Sequence, residues 1–93
     1  MSTTHNDTIA AQLFVSKMIS RLDEKRGQGF GGWDDAVRCT PEYLMACLYR
    51  SLGKGKLVDV ANFAMMLEAR GLTTQQISEL AVRSLLGVPK EGA

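Results

Sequence analysis

The chain has a single histidine, His5, close to its N-terminus. A Ser–His–Asp or Cys–His arrangement would therefore have no base seated in the body of the fold. Cysteine is almost as scarce. Cys39 and Cys47 are spaced as neither a Cys-x-x-Cys redox pair nor a zinc pair, so both read as small buried apolar residues. Charge of one sign is lacking too: 11 Lys and Arg against 10 Asp and Glu leave a net charge of +1. That balance gives no global pull toward nucleic acid or membrane, and no dense acidic surface of the kind a DNA mimic needs. No run of eighteen apolar residues exists, so no membrane span is expected. Met1 to Asp7 lacks the charged-then-apolar layout of a signal peptide, which points to the cytosol. A phosphate-binding Gly-x-x-x-x-Gly-Lys-Ser/Thr loop is missing, and no segment alternates as a half-buried strand does.

The 93 residues that are present suit one small folded domain, 45% hydrophobic and 23% charged. A chain this short buries a limited share of its surface, so docking or self-association is expected.

Helical periodicity and capping residues divide the chain into four helices. The first is expected from about Thr8 to Lys25, with Asn6 or Asp7 as its cap. Leu13, Phe14, Val15, Met18, Ile19 and Leu22 form its apolar side, and Gly27 ends it. Gly27, Gly29, Gly31 and Gly32 then interleave with Phe30 and Trp33 in a loop reaching Cys39. Large rings among glycines predict an ordered loop that buries them. Asp34 and Asp35 read as turn or capping residues.

Thr40, Pro41 and Glu42 open the second helix, whose apolar residues are Leu44, Cys47, Leu48 and Leu52. Gly53-Lys54-Gly55 stops it. The third is expected from about Lys56 to Arg70. Leu57, Val60, Ala61, Phe63, Ala64, Met65, Met66 and Leu67 make it apolar nearly all round, which predicts the central buried helix or one shared with an oligomer partner. Thr73 and Gln76 form a capping box for the fourth, with Leu72 and Ile77 as a staple. Its expected buried side is Ile77, Leu80, Ala81, Ser84 and Leu85, and Gly87-Val88-Pro89 closes it. The expected fold is all-α: one four-helix bundle-like domain, with tails at 1–6 and 90–93 and an ordered Gly/Trp loop between the first two helices.

Gly31-Gly32-Trp33-Asp34-Asp35, the Thr40-Pro41-Glu42 helix start, and Asp59-Val60-Ala61-Asn62-Phe63-Ala64-Met65-Met66 together resemble small phage proteins related to MazG-like all-α nucleoside triphosphate pyrophosphohydrolases. The resemblance covers roughly residues 27–71. It implies a magnesium site built from Glu-x-x-Glu on one helix and Glu-x-x-Asp on the next. Only Asp59 matches, as a vestigial metal-site position. Lys56 stands where a glutamate is expected, and Leu48 to Leu52 carries no carboxylate. A lysine one turn away repels a cation. The expectation is therefore a protein without catalysis, metal or cofactor.

The basic residues Lys17, Arg21, Lys25 and Arg26, then Arg38, then Arg50, Lys54 and Lys56, could meet a phosphate backbone or an acidic protein surface. Phe30 and Trp33 could add apolar contact. With the phage resemblance, this profile fits small α-helical anti-CRISPR proteins. The expected partner is a type I CRISPR surveillance complex in the host bacterial cytosol, with guide-RNA phosphates among the contacts. The protein itself is expected as a monomer or small homo-oligomer. Two alternatives stay open: a reduced pyrophosphohydrolase or nucleotide-binding protein, and a small nucleic-acid-binding regulator.

Overall fold

A computed structural model describes residues 3–86, the side chains of 3 and 4 excepted. The protein is all-α, with four helices and no strand among the described residues: α1 (Thr3–Gly27), α2 (Pro41–Gly53), α3 (Leu57–Ala69) and α4 (Thr74–Leu86). Internal contacts group the chain into two compact units that divide between Gly31 and Gly32.

The first unit is α1 and its C-terminal turn. The helix begins five residues before the expected start, and Asn6 and Asp7 lie inside it rather than at its cap. Adding a helical residue of modest propensity costs only a few tenths of a kcal/mol once the helix is nucleated. Part of the expected N-terminal tail is thus helix. The other end is a Schellman turn. Gly29 takes φ 92°, its N–H donates to the Arg26 carbonyl, and the Phe30 N–H donates to the Lys25 carbonyl at 3.0 Å. Glycine adopts that left-handed backbone without a Cβ clash.

The second unit holds α2, α3 and α4. α2 opens as the sequence predicts: Pro41 is its first residue, and the Thr40 hydroxyl accepts from the Tyr43 N–H at 3.2 Å. It closes on a second Schellman turn. Gly55 has φ 74°, and the Lys56 N–H donates to the Ser51 carbonyl at 2.9 Å. α4 starts with the full capping box. The Gln76 N–H donates to the Thr73 hydroxyl at 3.1 Å, and the Thr73 N–H donates to Gln76 Oε1 at 2.8 Å. The Gly87-Val88-Pro89 stop and the expected tail at 90–93 lie outside the described residues.

α2, not α3, is the central helix, because it packs against both α3 and α4. Leu44, Met45 and Cys47 of α2, Met66 and Leu67 of α3 and Leu80 of α4 are the buried apolar residues of the core. α3 has the more apolar composition, yet it buries one face only. Asn62, Met66 and Leu67 are inside, whereas Leu57 is 60% exposed. Asn62 is the buried polar residue of this face; the residue has an interaction of its own, while its buried Oδ1 atom has no hydrogen-bond partner. On α4, Leu85 is exposed rather than buried, since the packed side ends with Ser84. The Tyr49 hydroxyl donates to the Ala81 carbonyl at 3.2 Å, tying α2 to α4.

The capping box yields a direct test. Thr73→Ala should destabilise the protein by about 1 kcal/mol, read as a lower urea midpoint with unchanged slope. An unchanged midpoint would mean that α4 does not depend on its cap.

Candidate functional site

Residues 32–39 form a turn set by one aspartate. Asp35 Oδ1 accepts from the Val37 N–H at 2.9 Å and the Arg38 N–H at 3.2 Å, and the Asp35 carbonyl accepts from the Cys39 N–H at 2.8 Å. These two side-chain bonds make the Asp35 carboxyl more acidic than its ordinary value of 3.8, with smaller help from Arg38 and Arg70. The turn leads straight into Thr40 and α2.

Arg70, at the C-cap of α3, holds that turn in place. Its Nη1 donates to the Trp33 carbonyl at 2.8 Å and to the Cys39 carbonyl at 2.8 Å, both part-buried. One guanidinium nitrogen thus joins the start and end of the turn to the third helix. Hydrogen bonds from a charged donor each contribute about 1.5–3 kcal/mol. Gly71, at φ 78°, ends α3 there, and its N–H donates to the Glu68 carbonyl at 3.1 Å.

The clamped turn displays an uneven surface. Trp33 is half-buried, Val37 is 91% exposed, and Arg38 is exposed. The Arg38 guanidinium lies over Gly32. Its Cζ, Nη1 and Nε would be 3.5, 3.6 and 3.7 Å from a Cβ built on that glycine. Near-equal distances from three coplanar atoms mean that the guanidinium turns its flat face to the space a Cβ at Gly32 would occupy. Gly32 itself has φ 77°, a conformation that favours glycine.

The other candidate residues fall into two places. In the first unit, Arg21 is ion-paired with Glu24 and Arg26 with Asp23, each three residues apart. The Lys25 ammonium sits 4.7 Å from the centre of the Phe30 ring. Phe30 is therefore 61% exposed rather than buried, because its place after the Schellman glycine sets it against the lysine. Lys17 is exposed on the same helix. In the second unit, Arg50, Lys54 and Lys56 are exposed around the α2–α3 turn, and Asp59 is half-buried in the first turn of α3.

The residues present do not fit the magnesium site that the family resemblance implies. Among the described residues no three His, Cys, Asp or Glu side chains come together in a metal-holding group. Magnesium prefers near-octahedral oxygen coordination. Cys39 and Cys47 are free thiols, and burial pushes the Cys39 thiol above its ordinary range despite Arg70 nearby. A protonated thiol is a weak nucleophile.

The described residues thus define a small all-α protein with an arginine-clamped loop. No known family model matches the chain, and comparison with curated proteins and with solved structures finds no match. Among the described residues, no helix is long and apolar enough to cross a membrane.

Arg70 and Val37 were not legible as site residues. An arginine in a last helical turn reads as a complement to the helix dipole. Nothing local shows that it reaches residues 37 and 31 positions earlier.

Two measurements check the clamp. Arg70→Met should release the turn, seen as a red shift of Trp33 fluorescence and faster amide exchange at Val37 to Cys39, with α2–α4 helicity kept. Acidification supplies the second. Because the pKa of Asp35 in the folded protein lies below its ordinary value of 3.8, its stabilisation is complete above that value and fades as pH falls through the folded-state pKa. The Trp33 signal should therefore show an acid transition that Asp35→Asn removes. An identical transition in the variant would place the titrating group elsewhere.

Proposed function

We propose that this protein is a non-catalytic docking protein that presents the clamped turn to a larger partner. The reading rests chiefly on the clamp. A loop fixed in advance loses little conformational entropy on binding, and this one holds Val37 and Arg38 outward beside Trp33. Arg50, Lys54 and Lys56, exposed at the α2–α3 turn, supply further positive charge. The α1 cations contribute less, since Arg21 and Arg26 are engaged by their own neighbours.

The partner we propose is a bacterial defence complex, of the type I CRISPR surveillance class, whose target-DNA binding the protein blocks. Its support is the resemblance to small phage proteins, in which Lys56 stands where a metal-binding glutamate is expected.

The test adds purified protein to a purified surveillance complex and follows its binding to target duplex by mobility shift. Stoichiometric protein should abolish the shifted band, and Arg38→Glu should restore it. Unaltered DNA binding at large excess would overturn the proposed partner. Pyrophosphate release from a nucleotide panel with magnesium, abolished in Asp59→Ala, would overturn the non-catalytic reading. Binding to random duplex that weakens steeply with salt would favour the nucleic-acid regulator.

A further inference from the structure

We infer that the α2–α3 turn is a docking tip for an anionic lipid bilayer, with Arg50, Lys54 and Lys56 meeting the headgroups and Leu52 and Leu57 entering the interface. The inference goes beyond the docking reading, because this tip is at the other end of α2 from the clamped turn.

All residues from Leu52 to Leu57 are exposed, at the link between two packed helices. They form a closed turn rather than a loose loop. The Gly55 N–H donates to the Leu52 carbonyl at 3.0 Å, and the Lys56 N–H donates to the Ser51 carbonyl at 2.9 Å. A Schellman turn frequently adds an apolar contact between the residues joined by its longer bond. Here those residues are Ser51 and Lys56, so the turn supplies no apolar contact of its own. Leu52 is 48% exposed and Leu57 60% exposed. At about 3.6 residues per turn, Leu57 stands on the opposite side of α3 from the buried Met66.

Within the second unit, the charge at the tip survives a full count. Arg50, Lys54 and Lys56 are exposed, and no carboxylate occurs between Glu42 and Asp59. Asp59, half-buried in the first turn of α3, offsets one of these three cations and leaves an excess of two. Glu42 and Glu68 sit toward the far ends of α2 and α3. α4, which packs on α2, carries Glu79 and Arg83, one of each sign. The near-neutral chain thus holds a local positive excess at this turn.

A bilayer interface takes up cations and apolar side chains together. An anionic leaflet attracts each lysine or arginine near it. Lysine stems lie along apolar surface while their ammonium groups reach the headgroups. Nucleic acid would use the cations and leave both leucines in water. Single strands are also held by aromatic stacking, and residues 50–58 contain no aromatic ring. A convex tip suits a surface that yields, whereas a peptide segment docks in a groove or on a sheet edge. Two leucines and three cations give reversible adsorption, not a permanent anchor.

The experiment follows co-sedimentation of the full chain with vesicles of equal parts phosphatidylserine and phosphatidylcholine, against vesicles of phosphatidylcholine alone. Binding to the anionic vesicles is expected, far weaker on the neutral ones and declining as salt rises. Lys54→Gln with Lys56→Gln should weaken it about tenfold or more. Leu57→Gln, which keeps the charge, should weaken it severalfold. Arg83→Gln, on exposed α4 surface, should bind as the parent does. Circular dichroism confirms that the variants stay folded. With spin-labelled lipid present, the amide signals of Leu52 to Leu57 should broaden most. The inference is overturned by an absence of binding to the anionic vesicles, by equal binding of the lysine variant or of Leu57→Gln, or by broadening centred elsewhere. Capture of a Glu–Leu hexapeptide or of decathymidylate without vesicle binding would overturn it in favour of an acidic protein or a nucleic acid.

Discussion

The guanidinium of Arg70 joins parts of the second unit that no regular secondary structure connects. It lies at the end of α3 and bonds the carbonyls of Trp33 and Cys39, which bracket the turn before α2. Residues 32–39 also carry the local bonds of Asp35. Through Arg70, the turn is fixed to the same three-helix core that Leu44, Met45 and Leu67 build. A part-buried arginine needs hydrogen-bond acceptors, and backbone carbonyls at a turn are the acceptors this fold has to offer. The same contact thus satisfies the charge and orders the loop.

Glycines make the geometry possible. Gly71 turns the chain at the point where Arg70 must stop being helical, and Gly32, at φ 77°, leaves open the space beside the Arg38 guanidinium that a Cβ would fill. The loop's order therefore comes from charge and backbone shape more than from burial of its rings. Phe30 is mostly exposed and Trp33 only half-buried.

Local signals in the sequence were legible where the physics is local. Thr40-Pro41 and Thr73 with Gln76 cap their helices as their residue types predict. Asp35 organises a turn, as aspartate commonly does. The expectations that depended on tertiary placement fared worse. α3 is the most apolar helix, yet α2 became central, because a helix's position depends on which faces its neighbours present and not on its own composition. On α1, Arg21 and Arg26 are ion-paired with Glu24 and Asp23, each three residues away along the same helix. Arg70 carried no site signal, since its partners are more than thirty positions away.

The account stands on whether Arg70 is hydrogen-bonded in solution as it is in the structure. NMR of the arginine guanidinium groups answers this most directly, through rotation about the Nε–Cζ bond and exchange of the Nη protons. Arg70 should rotate slowly and exchange slowly, while the exposed Arg50 and Arg83 behave as free side chains. An Arg70 guanidinium as mobile as those two would contradict the clamp, and with it the pre-formed loop on which the docking reading depends.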